Sequence, residues 1–180
     1  MGDWFDCYVA RQLEVPDAAS RASRVVSWML EKELIEPGLG DAPLSGSGYR
    51  PGPRATEAVE GGAPDSLHSM RTNGVMVTTE RSVFYAFDTE ETTCPICGSV
   101  VERDAWDEVC GDWHAGEGNG LVSCCGCGSD VALCDLVMDD PWGFSNLAVT
   151  FWNWGRLSGP WERQLEAVVG LPLVHVSGKL

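Results

Sequence analysis

Two segments of identical spacing, Cys94–Gly98 and Cys124–Gly128, constrain the fold more than any other feature of this 180-residue chain. Each has the pattern C-x-x-C-G, which is typical of a tight turn that directs two thiols toward one point. The glycine after the second cysteine supplies the positive φ that such a turn requires. Because the two segments match, we expect them to meet in space and the 26 residues between the pairs to form an inserted loop.

Four converging thiolates are the ligand set of a closed, tetrahedral Zn²⁺ site with Zn–S distances of about 2.3 Å. We therefore predict one structural zinc ion held by Cys94, Cys97, Cys124 and Cys127. On these two turns, residues 92–138 resemble the zinc-ribbon class. The resemblance covers that segment only. It implies a structural metal but no particular activity, because zinc ribbons occur in enzymes, adaptors and transcription proteins alike.

Iron and redox chemistry are the alternatives for the paired turns. The turns also resemble those of rubredoxin, whose iron has the same four-sulfur ligand set. However, Ser99, Val100 and Val101 stand where rubredoxin has aromatic residues after its first turn. A thioredoxin-like C-x-x-C would stand alone beside a β-α-β unit, and the second matched pair argues against it. Zinc is the prediction, and a rubredoxin-like electron carrier stays an alternative.

A zinc-deaminase site needs the pattern H-x-E followed by P-C-x-x-C. The chain has one residue too many between His114 and Glu117, and Ser123 stands where the proline is required. This pattern is therefore not met. A metal-dependent enzyme built on His114 and Glu117, or on Asp139 and Asp140, nevertheless stays an alternative function. The two aspartates precede a proline, where such residues more often form a turn.

The other cysteines raise the question of a second metal site. Cys110 and His114 have the C-x₃-H spacing of metal ligands, and Cys125 with Cys134 would complete a set of four. That arrangement requires Cys125 to point away from its own turn. The alternative is that these residues and Cys7 are ordinary side chains, since free cysteine often behaves as a small buried apolar residue.

The composition favours a soluble protein with a protein partner. The chain carries 27 acidic and 12 basic residues, a net charge of −15, and no cluster of Lys and Arg. Phosphate backbones would be repelled, so nucleic-acid binding is disfavoured. A basic protein is the favoured macromolecular partner, although such a charge also simply maintains solubility. We find no apolar run of membrane-spanning length and no secretory signal, and expect a bacterial cytoplasmic protein with reduced thiols.

The rest of the chain predicts two β-α-β halves on either side of the two turns. Alternating aromatic and β-branched residues predict strands, and apolar residues at helical spacing predict helices. The first half has strands at 3–12, 74–80 and 82–87, a helix at 17–36, and a long Gly/Pro loop at 38–72 that contains one helical turn. The second half has strands at 146–154 and 171–180 around a helix at 158–170.

This order predicts an α+β protein of the ferredoxin-like split β-α-β type, with a zinc ribbon inserted between the halves. The predicted domains are residues 1–91 together with 139–180, and the inserted ribbon at 92–138. Both helices would cover one face of a four-stranded sheet. The predicted strands at 3–12 and 146–154 would be central, parallel neighbours.

Side-chain alternation in the strands predicts an aromatic face on the side of the sheet that the helices leave open. Its expected members are Trp4, Tyr8, Trp152, Trp154 and His175. Such a large apolar face is covered either by the chain, by a second copy in a homodimer, or by a protein partner. No catalytic constellation is apparent in the sequence. We therefore predict a non-enzymatic interaction module, of the adaptor or inhibitor/immunity type, in which zinc is structural.

Overall fold

A computed structural model of the chain describes residues 2–41, 43 and 46–180. These residues form a mixed α/β structure with four α-helices and several antiparallel sheets. The elements, in chain order, are β1 (Trp4–Ala10), α1 (Ala18–Glu31), α2 (Ala55–Ala58), β2 (Gly74–Thr78), β3 (Ser82–Phe84), β4 (Thr92–Thr93), α3 (Arg103–Ala115), β5 (Leu121–Ser123), β6 (Asp130–Ala132), β7 (Val137–Met138), β8 (Gly143–Ser145), β9 (Ala148–Trp152), α4 (Gly159–Val169) and β10 (Leu173–Lys179).

The main sheet has four strands in the order β10-β1-β9-β2. The prediction that β1 and β9 are central neighbours is confirmed, but the prediction that they run parallel is wrong: Cys7 pairs with Thr150 in an antiparallel register. Helix α1 links β1 to β2, and helix α4 links β9 to β10. Each of these connections skips one strand position in the sheet, so each β-α-β half leaves a gap one strand wide. The strand of the other half fills that gap while running in the opposite direction.

The sequence predicts α1, α4 and the single helical turn of α2, but it does not predict α3. Helix α4 lies between Ser158 at its N-cap and Gly170, whose φ of 73° ends it as predicted. Helix α1 ends at Glu31, five residues earlier than expected. Its buried side chains are those of Ala18, Ala22, Val25 and Met29, whereas helical spacing in the sequence predicts Ala19, Ala22, Val26 and Leu30 on that face.

One hydrophobic core lies between the main sheet and helices α1 and α4. Val25 and Met29 from α1, and Leu165 and Val169 from α4, are at most 1% exposed and pack in one cluster with Phe151 and other residues of the sheet. Each such side chain contributes about 1.5–3 kcal/mol when it leaves water. Helices α1 and α4 therefore cover this face of the sheet, and the opposite face points away from them.

The opposite face carries a second cluster, which the chain itself covers. This cluster includes Phe5, Cys7, Val9 and Trp152, and Phe84 of β3 packs against it. Strand β8 runs across the same side, where a Cβ on Gly143 would lie 2.7 Å from a methyl group of Val9. A glycine is needed there because the two strands approach too closely for any side chain.

The prediction of a single aromatic face is wrong. Residues directly opposite in an antiparallel pair share a face, and Tyr8 lies opposite Val149, under the helices, whereas Phe5 lies opposite Trp152. Tyr8 was therefore assigned to the wrong side. Alternation shows which residues of a strand lie together but not which face they occupy, and the hydroxyl of Tyr8 has its partners on the helix side.

The remaining members of that predicted set lie at three different places. His175 pairs with Tyr8 on the helix side. Trp154 follows Asn153, whose positive φ of 59° turns the chain, and packs against Phe151 in the helix-side core. Trp4 lies at the rim, 55% exposed, with the ammonium of Lys179 over its ring. Their assignment as partner-binding residues stays a prediction.

The insert between the two C-x-x-C pairs is largely a helix, and its prediction as a loop is wrong. Helix α3 buries Trp106, Cys110 and Trp113, which recur at helical spacing. They form a third cluster that includes Phe144 from β8 and Leu13, both outside residues 92–138. The side chains of the insert therefore share a core with the flanking chain. The domain boundaries at 92 and 138 stay a prediction.

Candidate metal centre

The two C-x-x-C-G turns have the same backbone hydrogen bonds. In the first, the amide of Cys94 donates to the carbonyl of Ser99 and the amide of Gly98 donates to the carbonyl of Cys94. In the second, Cys124 has the same two bonds with Ser129 and Gly128. Both glycines have a φ near +70°. The turns are therefore two copies of one structure, as the sequence predicts.

Short antiparallel strands hold the two turns in place. Strands β5 and β6 form a hairpin with the second turn at its tip, and Val122 pairs with Val131 within it. Strand β4 leads into the first turn and pairs with β7, where Thr93 lies opposite Val137. The first turn is closed by a single bridge between Thr93 and Val100. Each C-x-x-C turn is therefore held by hydrogen-bonded strands and does not lie in a free loop.

The four thiols converge. The Sγ atoms of Cys94, Cys97, Cys124 and Cys127 all lie within 4.8 Å of one another. The Sγ–Sγ distance is 3.9 Å for Cys94 and Cys127, and 3.6 Å for Cys97 and Cys124. A tetrahedral site with Zn–S bonds of about 2.3 Å requires sulfur atoms about 3.8 Å apart. A disulfide requires about 2.05 Å. The spacing fits a shared metal ion and excludes a disulfide in this arrangement.

The first cysteine of each turn is buried and the second is exposed, so the cluster lies at the surface with one side against the core. The hydroxyl and backbone amide of Ser99 lower the pKa of Cys97 to about 6. Ser129 likewise lowers the pKa of Cys127. Backbone amides of Cys127 and Gly126 lower the pKa of Cys124, but desolvation and the hydrogen bonds of its thiol with Cys97 and Cys94 outweigh them and raise that pKa to about 11.

These opposite shifts have one physical cause. Hydrogen-bond donors favour a thiolate in each turn, but four negative charges at this spacing repel one another. A divalent cation removes that conflict because it allows all four sulfurs to ionise. The arrangement therefore suits a soft, thiolate-binding divalent ion, and four sulfur ligands leave no open coordination position.

The other predicted ligands do not form a second site. Among all residues that the structure describes, Cys94, Cys97, Cys124 and Cys127 are the only group of three or more ligand-type side chains at metal-binding distance. Cys110 is buried in the core around Trp113, Cys125 is exposed with its thiol near the carbonyl of Val100, and Cys134 lies at the edge of the same core. The set Cys110, His114, Cys125 and Cys134 is therefore not assembled.

The residues of the two alternative enzyme sites lie after β7 and at the end of α3. The carboxylate of Asp139 accepts bonds from the hydroxyl of Thr89 and from the amide of Glu90, 3.1 Å away. The hydroxyl of Thr89, together with the backbone amides of Glu90 and Glu91, lowers the pKa of Asp139. His114 lies in the last turn of α3, and Glu117 follows the helix end. None of them joins a ligand cluster within the described chain.

One polar network was missed in the sequence. The hydroxyl of Tyr8 donates to Glu162 at 3.1 Å and accepts from the amide of Leu157 at 3.0 Å, and Arg156 donates to the same Glu162 carboxylate at 2.9 Å. His175 bonds Asp6 at 2.8 Å. The aspartate at the centre of an otherwise apolar strand was the available signal, because a buried carboxylate needs a partner.

None of the helices formed by the described residues has the length and apolar character needed to cross a lipid bilayer.

Comparison of the chain with protein-family models, with curated proteins and with solved structures gives no significant match. The functional assignment therefore depends on the geometry of the chain itself.

Proposed function

We propose that Cys94, Cys97, Cys124 and Cys127 hold one structural Zn²⁺ and that the protein is a zinc-stabilised interaction module. The observation that carries the proposal is the cluster of four Sγ atoms, whose spacing of 3.6–3.9 Å across the two turns suits tetrahedral zinc. A site with four protein sulfurs has no position for water or substrate, which favours a structural over a catalytic ion.

The proposed architecture is a ferredoxin-like sheet with a zinc ribbon inserted between its two β-α-β halves. The strand order β10-β1-β9-β2, with a helix linking β1 to β2 and β9 to β10, supports the ferredoxin-like assignment. The hairpin β5-β6 and the pair β4-β7, each carrying one C-x-x-C turn, support the zinc-ribbon assignment. Helix α3 is an addition between the two turns.

The proposed activity is binding of a basic protein, in a bacterial cytoplasm where thiols stay reduced. The net charge of −15 favours a basic partner by long-range attraction. Apolar side chains beside the metal centre are exposed: Ile96 at the tip of the first turn by 63%, Val100 by 50% and Val137 by 52%. Neighbouring exposed apolar residues are typical of an interaction site.

Metal content tests the zinc assignment. Protein purified without chelator is expected to contain one zinc per chain by elemental analysis and to be colourless, since a ferric four-sulfur site is red. Cys124→Ser removes a ligand and is expected to lose the metal. Cys125→Ser is the matched control, because it changes the adjacent, exposed thiol. Full metal retention in Cys124→Ser, or less than half an equivalent in the native chain, would refute the assignment.

Association tests the interaction role. The metal-loaded protein is used to isolate partners from its native host, and mass spectrometry identifies them. We expect one basic protein that binds the purified chain in a saturable manner and dissociates as salt is raised, because salt screens charge attraction. The Cys124→Ser variant is expected to bind it more weakly. Turnover of a substrate that depends on the bound metal would contradict a purely structural ion.

A further inference from the structure

A cleft of about 790 Å³ lies between helix α3 and the segment that follows β3. Its volume is within the range of about 300–1,000 Å³ that is typical of ligand pockets. One wall is a stripe of α3, and the other contains Tyr85 and Trp142. No cysteine of the metal centre lines it, so this cleft is a separate place on the molecule.

The wall opposite α3 is an aromatic stack that ends in an exposed ring. Tyr85 stacks on Trp142 with ring centroids 4.3 Å apart and an interplanar angle of 12°. Trp142 in turn contacts Trp106 edge-on at 5.3 Å and is anchored by a bond from its indole nitrogen to the carbonyl of Phe87. Tyr85 nevertheless keeps 54% of its surface exposed. The face of such a ring attracts a cation.

The helical wall offers one carboxylate, Asp107, that forms no ion pair within the described residues, although Arg103 one turn away on α3 attracts it. Arg103 pairs with Asp88 at 2.6 Å and lies over the ring of Trp106, so both of these charges have partners. Asp107, one turn further along α3, has no hydrogen-bond or ion-pair partner in the described part of the chain. An unpaired carboxylate and an exposed aromatic ring therefore line the same cleft.

Gly111 forms part of the helical wall without any structural need for a glycine. It lies in the interior of α3, where glycine costs about 1 kcal/mol relative to alanine. Its φ is not in the left-handed region, and a Cβ placed on it meets nothing within 4 Å among the described residues. The absent side chain preserves space in the cleft, which is an independent sign of an occupant.

Covalent chemistry is not supported by the groups in the cleft. Cys110 and His114 both line it, but no hydrogen bond joins them in the structure. Burial, and secondarily the negative charge of Asp107, raises the pKa of Cys110 to about 11. The sulfur therefore stays a thiol near neutral pH rather than a nucleophilic thiolate. The arrangement favours reversible binding.

We propose that this cleft binds the guanidinium group of an arginine side chain presented by a basic protein partner. The planar cation stacks on Tyr85, two of its N–H groups donate to Asp107, and its aliphatic stem passes over Gly111. Arginine fits better than lysine because it is planar and donates in a fork that matches a carboxylate. The inference rests on the proposed interaction role and names the residues that recognise the partner.

Nuclear magnetic resonance of the metal-loaded chain at 0.15 M salt tests the proposal. The probe is the capped peptide acetyl-Gly-Arg-Gly-amide, and its matched control has lysine in place of arginine. We expect saturable shifts of the Gly111 amide and the Trp142 indole with the arginine peptide, and about tenfold weaker binding of the lysine peptide.

Three variants separate binding from folding. Asp107→Asn is expected to weaken the arginine peptide about tenfold, since it removes a charge-assisted bond. Glu108→Gln changes the adjacent exposed carboxylate of α3 and is expected to leave the affinity unchanged. Gly111→Leu fills the cleft. It is expected to abolish the shift of the Trp142 indole on addition of the arginine peptide, while the melting temperature stays the same or rises. No purely structural role of Gly111 predicts that combination.

Equal affinity for the arginine and lysine peptides would overturn the proposal, because net charge alone would then explain the attraction. Equal affinity for free arginine and for the peptide would overturn the assignment to a protein partner. Zinc is counted on the same samples. Metal retained without peptide binding refutes the cleft proposal only, whereas peptide binding by a chain that lacks metal refutes the zinc assignment only.

Discussion

The ring of Tyr8 stacks on the imidazole of His175, with centroids 4.9 Å apart and planes inclined by 22°. The two residues are directly opposite in the pair of β1 and β10. His175 is held from the other side by Asp6, and Tyr8 by Glu162 and the amide of Leu157. This arrangement adds side-chain bonds between β1, β10 and the start of α4 to the backbone pairing of β1 with β10.

Tyr8→Phe tests how much that connection contributes. The ring remains, but the amide of Leu157, which is buried, loses its acceptor. Leaving such a donor unsatisfied costs about 1–3 kcal/mol, so we expect a loss of that size in the free energy of unfolding by urea. Tyr49→Phe is the control, because the hydrogen bonds of Tyr49 are made by its backbone. Equal effects of the two changes would contradict a role of the Tyr8 hydroxyl.

Gly143→Ala tests the close approach of β8 to β1. The added methyl group would lie 2.7–2.9 Å from the side-chain carbons of Val9. Overpacking of this kind costs about 1–3 kcal/mol, measured by thermal or urea unfolding. At Gly40 a Cβ meets no atom of the described residues within 4 Å, so Gly40→Ala is the matched control. The double variant Gly143→Ala/Val9→Ala is expected to cost less than the sum of its two single changes, because Val9→Ala makes room.

Chelation of the metal is expected to disorder the lobe around α3. Cys94 and Cys124 belong to the same buried cluster as Trp106 and Trp113, and Phe144 joins that cluster from β8. Loss of the ion frees the two turns that hold one side of the cluster. We expect a lower melting temperature and a weaker near-ultraviolet circular dichroism signal after chelation, both restored by zinc. An unchanged spectrum would show that the tryptophans pack without the ion.

Replacement of residues 92–138 by a short turn tests whether the insert is independent. Its removal would uncover Phe144, Leu13 and Val83, which pack against side chains of the insert. Burial of Phe144 alone is worth about 1.5–3 kcal/mol. We expect the shortened chain to unfold at lower urea than the native chain. Unfolding at the same urea concentration with undiminished cooperativity would support two domains that fold separately.

Acid pH tests the role of Asp139. Its pKa is lowered in the folded protein, first by the Thr89 hydroxyl and then by backbone amides. The stabilisation is therefore present above the unfolded pKa of about 3.9 and is lost as pH falls through the folded value. The difference in melting temperature between native protein and Asp139→Asn should be largest near neutral pH and vanish in acid. Asp140→Asn is the control, for which we expect no such difference.

The sequence was most informative where spacing alone determines the structure. The C-x-x-C-G turns, α4 with its Ser158 and Gly170 ends, and the strands around Phe151 follow from local pattern. The face occupied by Tyr8 does not, because it depends on the register of β1 against β9, in which Tyr8 lies opposite Val149, and no local pattern determines that register. Helix α3 had a visible signal in Trp106, Cys110 and Trp113, but the cysteine spacing led to its interpretation as a loop.

The cleft lay beyond local pattern for a different reason. Asp107 and Gly111 lie on α3, while Tyr85 and Trp142 come from segments on either side of the insert. The pairings of β3 with β8 and of β4 with β7, in which Val83 lies opposite Phe144 and Thr92 opposite Met138, bring these segments together. The hydrophobic pattern within one segment does not show which distant segment it pairs with. Sites assembled in this way require the tertiary structure.

The pairing of the two terminal strands has a consequence for how the chain acquires its structure. Trp4 lies opposite Lys179, and Phe5 opposite Trp152, so the central strand β1 pairs with segments that are synthesised long after it. Closing so long a loop is entropically costly and slows folding. If the insert binds zinc as proposed, it shortens the flexible part of that loop before the sheet closes. On a ribosome, the ion would therefore act as an early organiser of a sheet that it never touches.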